Sequence, residues 1–430
     1  MGVAAFIALT TILTGCTSFD ASVSVVLPDE SEPDVEVTPP ACPEGLAAVE
    51  GDFVPQGTRF EGDRPACISA VHATAGAAGS TVAVRLDSWT AAEPAHVKVL
   101  DLLGNTMVDS VAMEAGDELE VDLVQSGEVL VQIEPTDPEA ASNAYAVSVE
   151  CLDGCSLEYT RYPIVLLHGA APSEFGGLMD YFFEVRDTLT ERGFLVLTPT
   201  VDPWESSEDR GAAFYEQIEV YAAEGLGRHF NLIGHSQAGL DARYITTALD
   251  VDQQVVSVTT LSSPHRGAPL ADIAAGVLEL SPWDGALVDA AASAAAMVLG
   301  NDSEQATACL ASMTTEATTR FNAEVPDRAD VAYYSWSGRT CGVLEFGCQS
   351  DTGGEVVASY LAAPYDVTAL VSGENDGLVP VSSAQWGEYL GEMPADHFDQ
   401  VGQIAGLDEG PFDHLAFFES EANRLANAGF

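Results

Sequence analysis

The stretch Asn231-Leu232-Ile233-Gly234-His235-Ser236-Gln237-Ala238-Gly239 constrains this chain more than any other. It sets a serine between two glycines, directly after the apolar run at 230–233. Leu240, Tyr244 and Ile245 follow at helical spacing. The pattern predicts a strand, a sharp turn and a helix, with the Ser236 hydroxyl lifted clear of a sheet. Such a turn leaves no room for a Cβ on either side of the serine, hence the glycines. The helix start supplies N–H groups that can hold a developing oxyanion. The chemistry expected from this arrangement is ester cleavage by a serine nucleophile.

At 430 residues the chain exceeds one average domain, and 47% hydrophobic residues allow a large core. The charge balance is extreme: 15 Lys+Arg against 67 Asp+Glu, a net charge of −52. That surface repels nucleic acid and anionic headgroups, so a nucleic-acid partner is not expected. It suits a saline extracellular setting, where self-repulsion is screened.

The N-terminal residues 1–16 form a short apolar stretch ending in small residues. This is the pattern of a secretory signal rather than a membrane span. Leu13-Thr14-Gly15-Cys16 resembles the bacterial lipobox, which implies lipidation at Cys16 and a cell-surface or secreted protein. No Lys or Arg precedes the apolar core, so the start is expected to lie upstream. The other cysteines fit an oxidising compartment. Cys341 and Cys348 are close enough to bridge one loop, while Cys42, Cys67, Cys151 and Cys155 could pair among themselves. Cys309 is then left over, and no C-x₂-C pair suggests zinc.

Residues 17–41 are rich in Asp, Glu, Pro and Ser and read as a solvated tether. From 42 to 155 the pattern has period two: Val82, Val84 and Leu86; Leu119, Val121 and Leu123; Val129, Val131 and Ile133; Tyr145, Val147 and Val149. Turn signals at Gly104-Asn105, Gly116-Asp117 and Ser126-Gly127 separate these runs. They predict a small β-sandwich loosely similar to the pre-peptidase C-terminal domains that accompany secreted hydrolases. It carries no chemistry-bearing cluster, and a spacer role is expected.

From 156 to 430, continuous apolar runs at 164–167, 194–197, 230–233, 255–261, 331–336 and 367–371 are predicted as strands. Helical stretches such as 180–192 and 212–223 separate them. This predicts an α/β domain whose mostly parallel sheet is covered on both faces. Catalytic groups in such sheets lie past the carboxyl ends of the strands.

A serine nucleophile needs a base, an orienting acid and oxyanion donors. In this fold class they follow in the order serine, acid, histidine. Asp376, in a glycine-flanked turn after the run 367–371, is the acid candidate. After Ser236 come His265, His397 and His414, and pattern alone leaves His397 and His414 equal. The oxyanion donors expected are the N–H of Gln237 and, after the strand ending in His168-Gly169, the N–H of Ala170.

These motifs together resemble the bacterial true lipases of the Pseudomonas and Burkholderia type, an α/β-hydrolase family. The matching stretches are YPIVLLHG at 162–169, NLIGHSQAGL at 231–240 with Ala238 where a glycine is usual, SVTTLSSPHRG at 257–267, YYSWSG at 333–338, NDGLV at 375–379 and ANRLANAGF at 422–430. The resemblance implies the triad Ser236, Asp376 and His397. The family's N-H-L-D-E-[VI]-N-Q corresponds here to Asp396-His397-Phe398-Asp399-Gln400-Val401-Gly402-Gln403, and this selects His397. It also implies structural Ca²⁺ held by Asp399 and the backbone oxygens of Gln403 and Leu407, with Asp351 as a second aspartate. The family's usual cysteine after N-D-G-L-V is absent, since Pro380-Val381-Ser382-Ser383 follows.

Residues 268–305 match the family's lid. Leu287, Val288, Ala291, Ala295 and Val298 can form one apolar face there, suited to a lipid–water interface. The family also implies a dedicated folding chaperone as a partner. The function expected is therefore carboxylester hydrolysis, with triacylglycerols as the substrate. A short-chain esterase or polyester depolymerase with the same triad, or a silent surface adhesion protein, are the alternatives.

Overall fold

A computed structural model describes Cys42 and residues 46–170, 181–276, 306–343, 355–402 and 410–430. Residues 41–430 form one compact unit, and residues 1–40, where the leader and most of the tether are expected, lie outside the described residues.

The alternating segments form strands β1 to β9: Ala47–Glu50, Thr58–Arg64, Ile68–Gly76, Thr81–Trp89, Ala95–Leu100, Thr106–Met113, Glu118–Asp122, Gly127–Pro135 and Asn143–Asp153. They make two sheets, ordered β1-β3-β8-β5-β6 and β2-β9-β4-β7. All their pairings are antiparallel except β1 with β3. Period two puts alternate side chains on one face. Val82, Val84, Val147 and Val149 of one sheet and Val97, Val99, Val131 and Ile133 of the other are thus buried in a shared core. Two disulfides, Cys42–Cys67 and Cys151–Cys155, tie this part of the chain.

The second part is a six-stranded parallel sheet, ordered β11-β10-β12-β13-β14-β15. Its strands are β10 (Ile164–Leu167), β11 (Val196–Leu197), β12 (Phe230–His235), β13 (Val255–Leu261), β14 (Ala332–Gly338) and β15 (Glu388–Met393). Between and after them run α1 (Val185–Arg192), α2 (Ser207–Ala223), α3 (Ala238–Tyr244), α4 (Pro269–Ala274), α5 (Ala306–Ser312), α6 (Thr315–Glu324), α7 (Ala362–Ser372), α8 (Val381–Ala384) and α9 (His414–Asn427). The central strands are buried on both faces, with Ile164 and Leu166 in one core and Val165 and Leu167 in another. This is the α/β-hydrolase-like arrangement that the continuous apolar runs predict.

Two sequence expectations need correction. The run 367–371 is no strand: it is the second half of α7. Leu361, Tyr365 and Thr368 are buried at helical spacing while Leu370 and Val371 face solvent, so the period is helical although the residues favour strands. The sixth strand is instead β15, whose GluTyrLeuGlyGluMet sequence is mostly half-exposed at the sheet edge and carries no apolar run.

The two parts join at the N-terminal ends of the parallel strands. Glu128 on β8 accepts from Arg161 Nε at 2.6 Å, just before β10, and lies 3.6 Å from Arg228, just before β12. Ser126 Oγ donates to the Gly193 carbonyl at 2.5 Å. The β-sheet pair therefore docks at the end of the parallel sheet opposite to Ser236.

Candidate active site

The turn after β12 forces Ser236 to φ 60°, a left-handed conformation that is costly for a residue with a side chain. It is held there by its N–H, which donates to Leu261 O on β13 at 2.8 Å. The flanking glycines are steric necessities. A Cβ on Gly234 would lie 2.7 Å from the Ala238 carbonyl oxygen, and one on Gly239 would collide with Ser263.

Around this turn the structure brings together residues far apart in the chain. His397 Nε2 lies 3.0 Å from Ser236 Oγ, and His397 Nδ1 lies 2.8 Å from Asp376 Oδ2. Asp376 sits in the turn after α7, where Oδ1 accepts from Leu378 N at 3.0 Å and Val379 N at 2.7 Å. Its carbonyl accepts the His397 N–H at 2.8 Å, so acid and base are also tied through the backbone. Burial pushes the Asp376 carboxyl up. The charge and hydrogen bond of His397, with the Val379 and Leu378 amides, more than reverse this and hold it below the ordinary carboxylate value.

The rival histidines lie elsewhere. His414 is the first residue of α9 and its Nε2 bonds the Phe183 carbonyl at 3.0 Å. His265 is buried against Thr260 and Trp386. Burial, followed by Arg243 and Arg266, keeps it well below the ordinary imidazole value.

Gln237 opens α3, and Ala170 follows β10 beside Ser236 and His397 in the wall of the same cavity. Neither backbone N–H has an acceptor among the described residues. The Gln237 side chain is anchored by donating to Glu205 O at 3.0 Å and accepting from Cys309 Sγ at 3.1 Å. The cavity measures about 50 Å³ and is walled by Leu270, Leu310, Met313, Leu378 and Phe398 among others.

Pattern reasoning missed the support behind this site. Arg210 of α2, fully buried, donates to Asp241 Oδ2 of α3 at 2.8 Å, to Asp202 O at 2.9 Å and to the His168 carbonyl. It pins the chain leading to Ala170 onto the helix behind Ser236. Burial pushes the Asp241 carboxyl up to about 6, with Arg210 opposing it. His235, the last residue of β12, packs against His397 with ring centroids 4.6 Å apart and planes tilted by 43°, and is held by the Tyr181 hydroxyl at 2.7 Å. Arg210 and Asp241 belong to no motif the sequence offers, and His235 stands in one only as the variable position between Gly234 and Ser236.

Of the calcium ligands expected, only Asp399 is among the described residues. Asp351, Gln403 and Leu407 lie outside them, as do residues 277–305 of the expected lid and Cys16, the expected lipidation site. Asp399 is a buried carboxylate at the end of the His397 loop, which is the right chemistry for a hard cation. No cluster of three or more metal-ligating side chains occurs among the described residues. Cys341 is disulfide-bonded and Cys309 is free and buried.

No protein-family profile matches the chain. A triacylglycerol lipase of Burkholderia plantarii is 28% identical over 337 residues, 67% of this chain and 93% of that protein. A triacylglycerol lipase of Vibrio cholerae is 29% identical over 316 residues, 67% and 94% respectively. Among solved structures, a mature Bacillus licheniformis lipase is 23% identical and matches 62% of this chain and 92% of its own, with a TM-score of 0.45. The chain is a homologue of the bacterial triacylglycerol lipases.

Proposed function

We propose that this carboxylester hydrolase is a triacylglycerol lipase that works through an acyl-enzyme on Ser236. The observation that carries the reading is the hydrogen-bonded line from Ser236 through His397 to Asp376. In this reading Ser236 Oγ attacks the ester carbonyl carbon while His397 Nε2 takes its proton. Asp376 holds the imidazole by its Nδ1–H and stabilises the positive ring. The N–H groups of Gln237 and Ala170 bind the oxyanion, each contributing about 2.7–4 kcal/mol. Collapse of the tetrahedral intermediate breaks the ester C–O bond, and His397 returns the proton to the leaving alcohol. Water, deprotonated by His397, then attacks the acyl carbon and frees Ser236.

Asp399, with the backbone oxygens of Gln403 and Leu407, would hold a structural Ca²⁺ that ties down the loop carrying His397. Asp351 is the proposed second aspartate. We keep lipidation at Cys16, a lid over 268–305 that meets a lipid–water interface, and a folding chaperone as proposals from sequence. Residues 42–155 are read as a β-sandwich accessory domain. Its docking away from Ser236 supports a spacer role.

A second reading, an esterase for short acyl groups with the same residues, is favoured by the cavity. About 50 Å³ corresponds to roughly four water-sized volumes, room for a short acyl chain. Hydrolysis of p-nitrophenyl esters across acyl lengths, for wild type and Ser236→Ala, with and without chelator, tests both. An optimum at long chains supports the lipase; activity confined to short chains supports the esterase; full activity in Ser236→Ala removes both.

A further inference from the structure

We propose that Gln400 is a positioning residue for Asp376: its side-chain amide donates to the same oxygen that receives the His397 ring proton, and so fixes the plane and placement of that carboxylate. The inference rests on the reading of Ser236, His397 and Asp376 given above. Gln400 Nε2 lies 3.0 Å from Asp376 Oδ2, and the side chain is fully buried. The Leu378 and Val379 amides hold only Oδ1. Without Gln400, Oδ2 would keep His397 as its one side-chain partner, and only the two amides on Oδ1 would oppose rotation of the carboxylate away from the ring.

The slot for this amide is built from both sides. Gly338, the last residue of β14, lies so close that a Cβ there would collide with Gln400 Nε2. At the other end the Gln400 side chain meets the His235 ring. His235 Nδ1 is engaged by Tyr181 Oη at 2.7 Å, which fixes the ring's orientation. A carboxylate oxygen accepts only, so the NH₂ end of Gln400 must face Asp376. The motif resembled here carries a glutamate at this position. An ionised glutamate could not donate to Asp376 and would set a second negative charge beside it. The amide in this chain donates without having to take up a proton.

The test is a double-mutant cycle in the full-length protein at fixed calcium, with p-nitrophenyl butyrate as substrate. Gln400→Met keeps the volume and removes the donor. It is expected to lower kcat about ten- to thirty-fold, the worth of a hydrogen bond to a charged group, with KM within about twofold. In an Asp376→Asn background the same change is expected to alter kcat by less than about twofold, because its target is gone. Gln400→Ala serves as the second variant where the methionine side chain disturbs folding, judged by the melting temperature. Unchanged kcat in both variants, or an equal loss with and without Asp376, overturns the proposal. Wild-type protein that neither turns over the ester nor takes up a fluorophosphonate at Ser236 overturns the underlying reading instead.

Discussion

Arg210 Nε meets Asp241 Oδ2 at 2.8 Å, with neither side chain reached by solvent. The pair joins α2 to α3, the helix that starts behind Ser236, while the same guanidinium holds the His168 carbonyl. One cation therefore sets the distance between the two proposed oxyanion donors. Removing it strands a buried carboxylate. Arg210→Met is expected to lower stability by about 3–5 kcal/mol in denaturant unfolding. The double variant Arg210→Met/Asp241→Leu should recover part of that loss, since it leaves no unpaired charge. Equal stability of the single variant and wild type would count against this account of the pair.

In the proposed mechanism Ser236, His397 and Asp376 act as a unit. Ser236→Ala is expected to lower kcat by about 10⁶ and Asp376→Asn by about 10⁴, with the residual rate coming from the oxyanion donors and binding. Initial rates on p-nitrophenyl esters measure both. Losses below about tenfold would contradict the assignment.

Acid should weaken the fold through Asp376. Its folded value lies below the ordinary carboxylate value, so the folded state binds this proton less readily than the unfolded chain. Its stabilising contribution is therefore present above about pH 4 and is lost as pH falls through the lowered folded value. Melting temperatures of wild type and Asp376→Asn should differ at pH 7 and converge in strong acid. A constant difference across that range would show that Asp376 is not the group involved.

Calcium removal gives a further test. If Asp399 binds the ion in the folded state alone, calcium at a hundred times its Kd stabilises by about 2.7 kcal/mol. EDTA should lower the melting temperature of wild type, and Asp399→Ala should abolish that response. A wild-type melting curve indifferent to both EDTA and added calcium would remove the ion from the mechanism.

Much of this architecture is legible in the sequence where a short signal maps onto a local geometry. The apolar runs at β10, β12 and β13 read as strands because both faces are buried, and Gly234-His235-Ser236-Gln237-Ala238-Gly239 names its own turn. The segment 367–371 is illegible because a short run rich in β-branched residues reads as a strand, although here it is the half-exposed end of α7. The edge strand β15 was missed because it packs few side chains. What Arg210, Asp241, His235 and Gln400 do is invisible for another reason, although His235 and Gln400 stand inside the quoted motifs. Their roles arise from contacts between elements distant in the chain, such as the 31 residues between Arg210 and Asp241.

The most direct test is mass-spectrometric mapping of the adduct formed by a fluorophosphonate, for wild type and His397→Ala. The account predicts one adduct, on the peptide containing Ser236, and its near-complete loss when the imidazole is removed. An adduct on another serine, or equal labelling of Ser236 without His397, would contradict it.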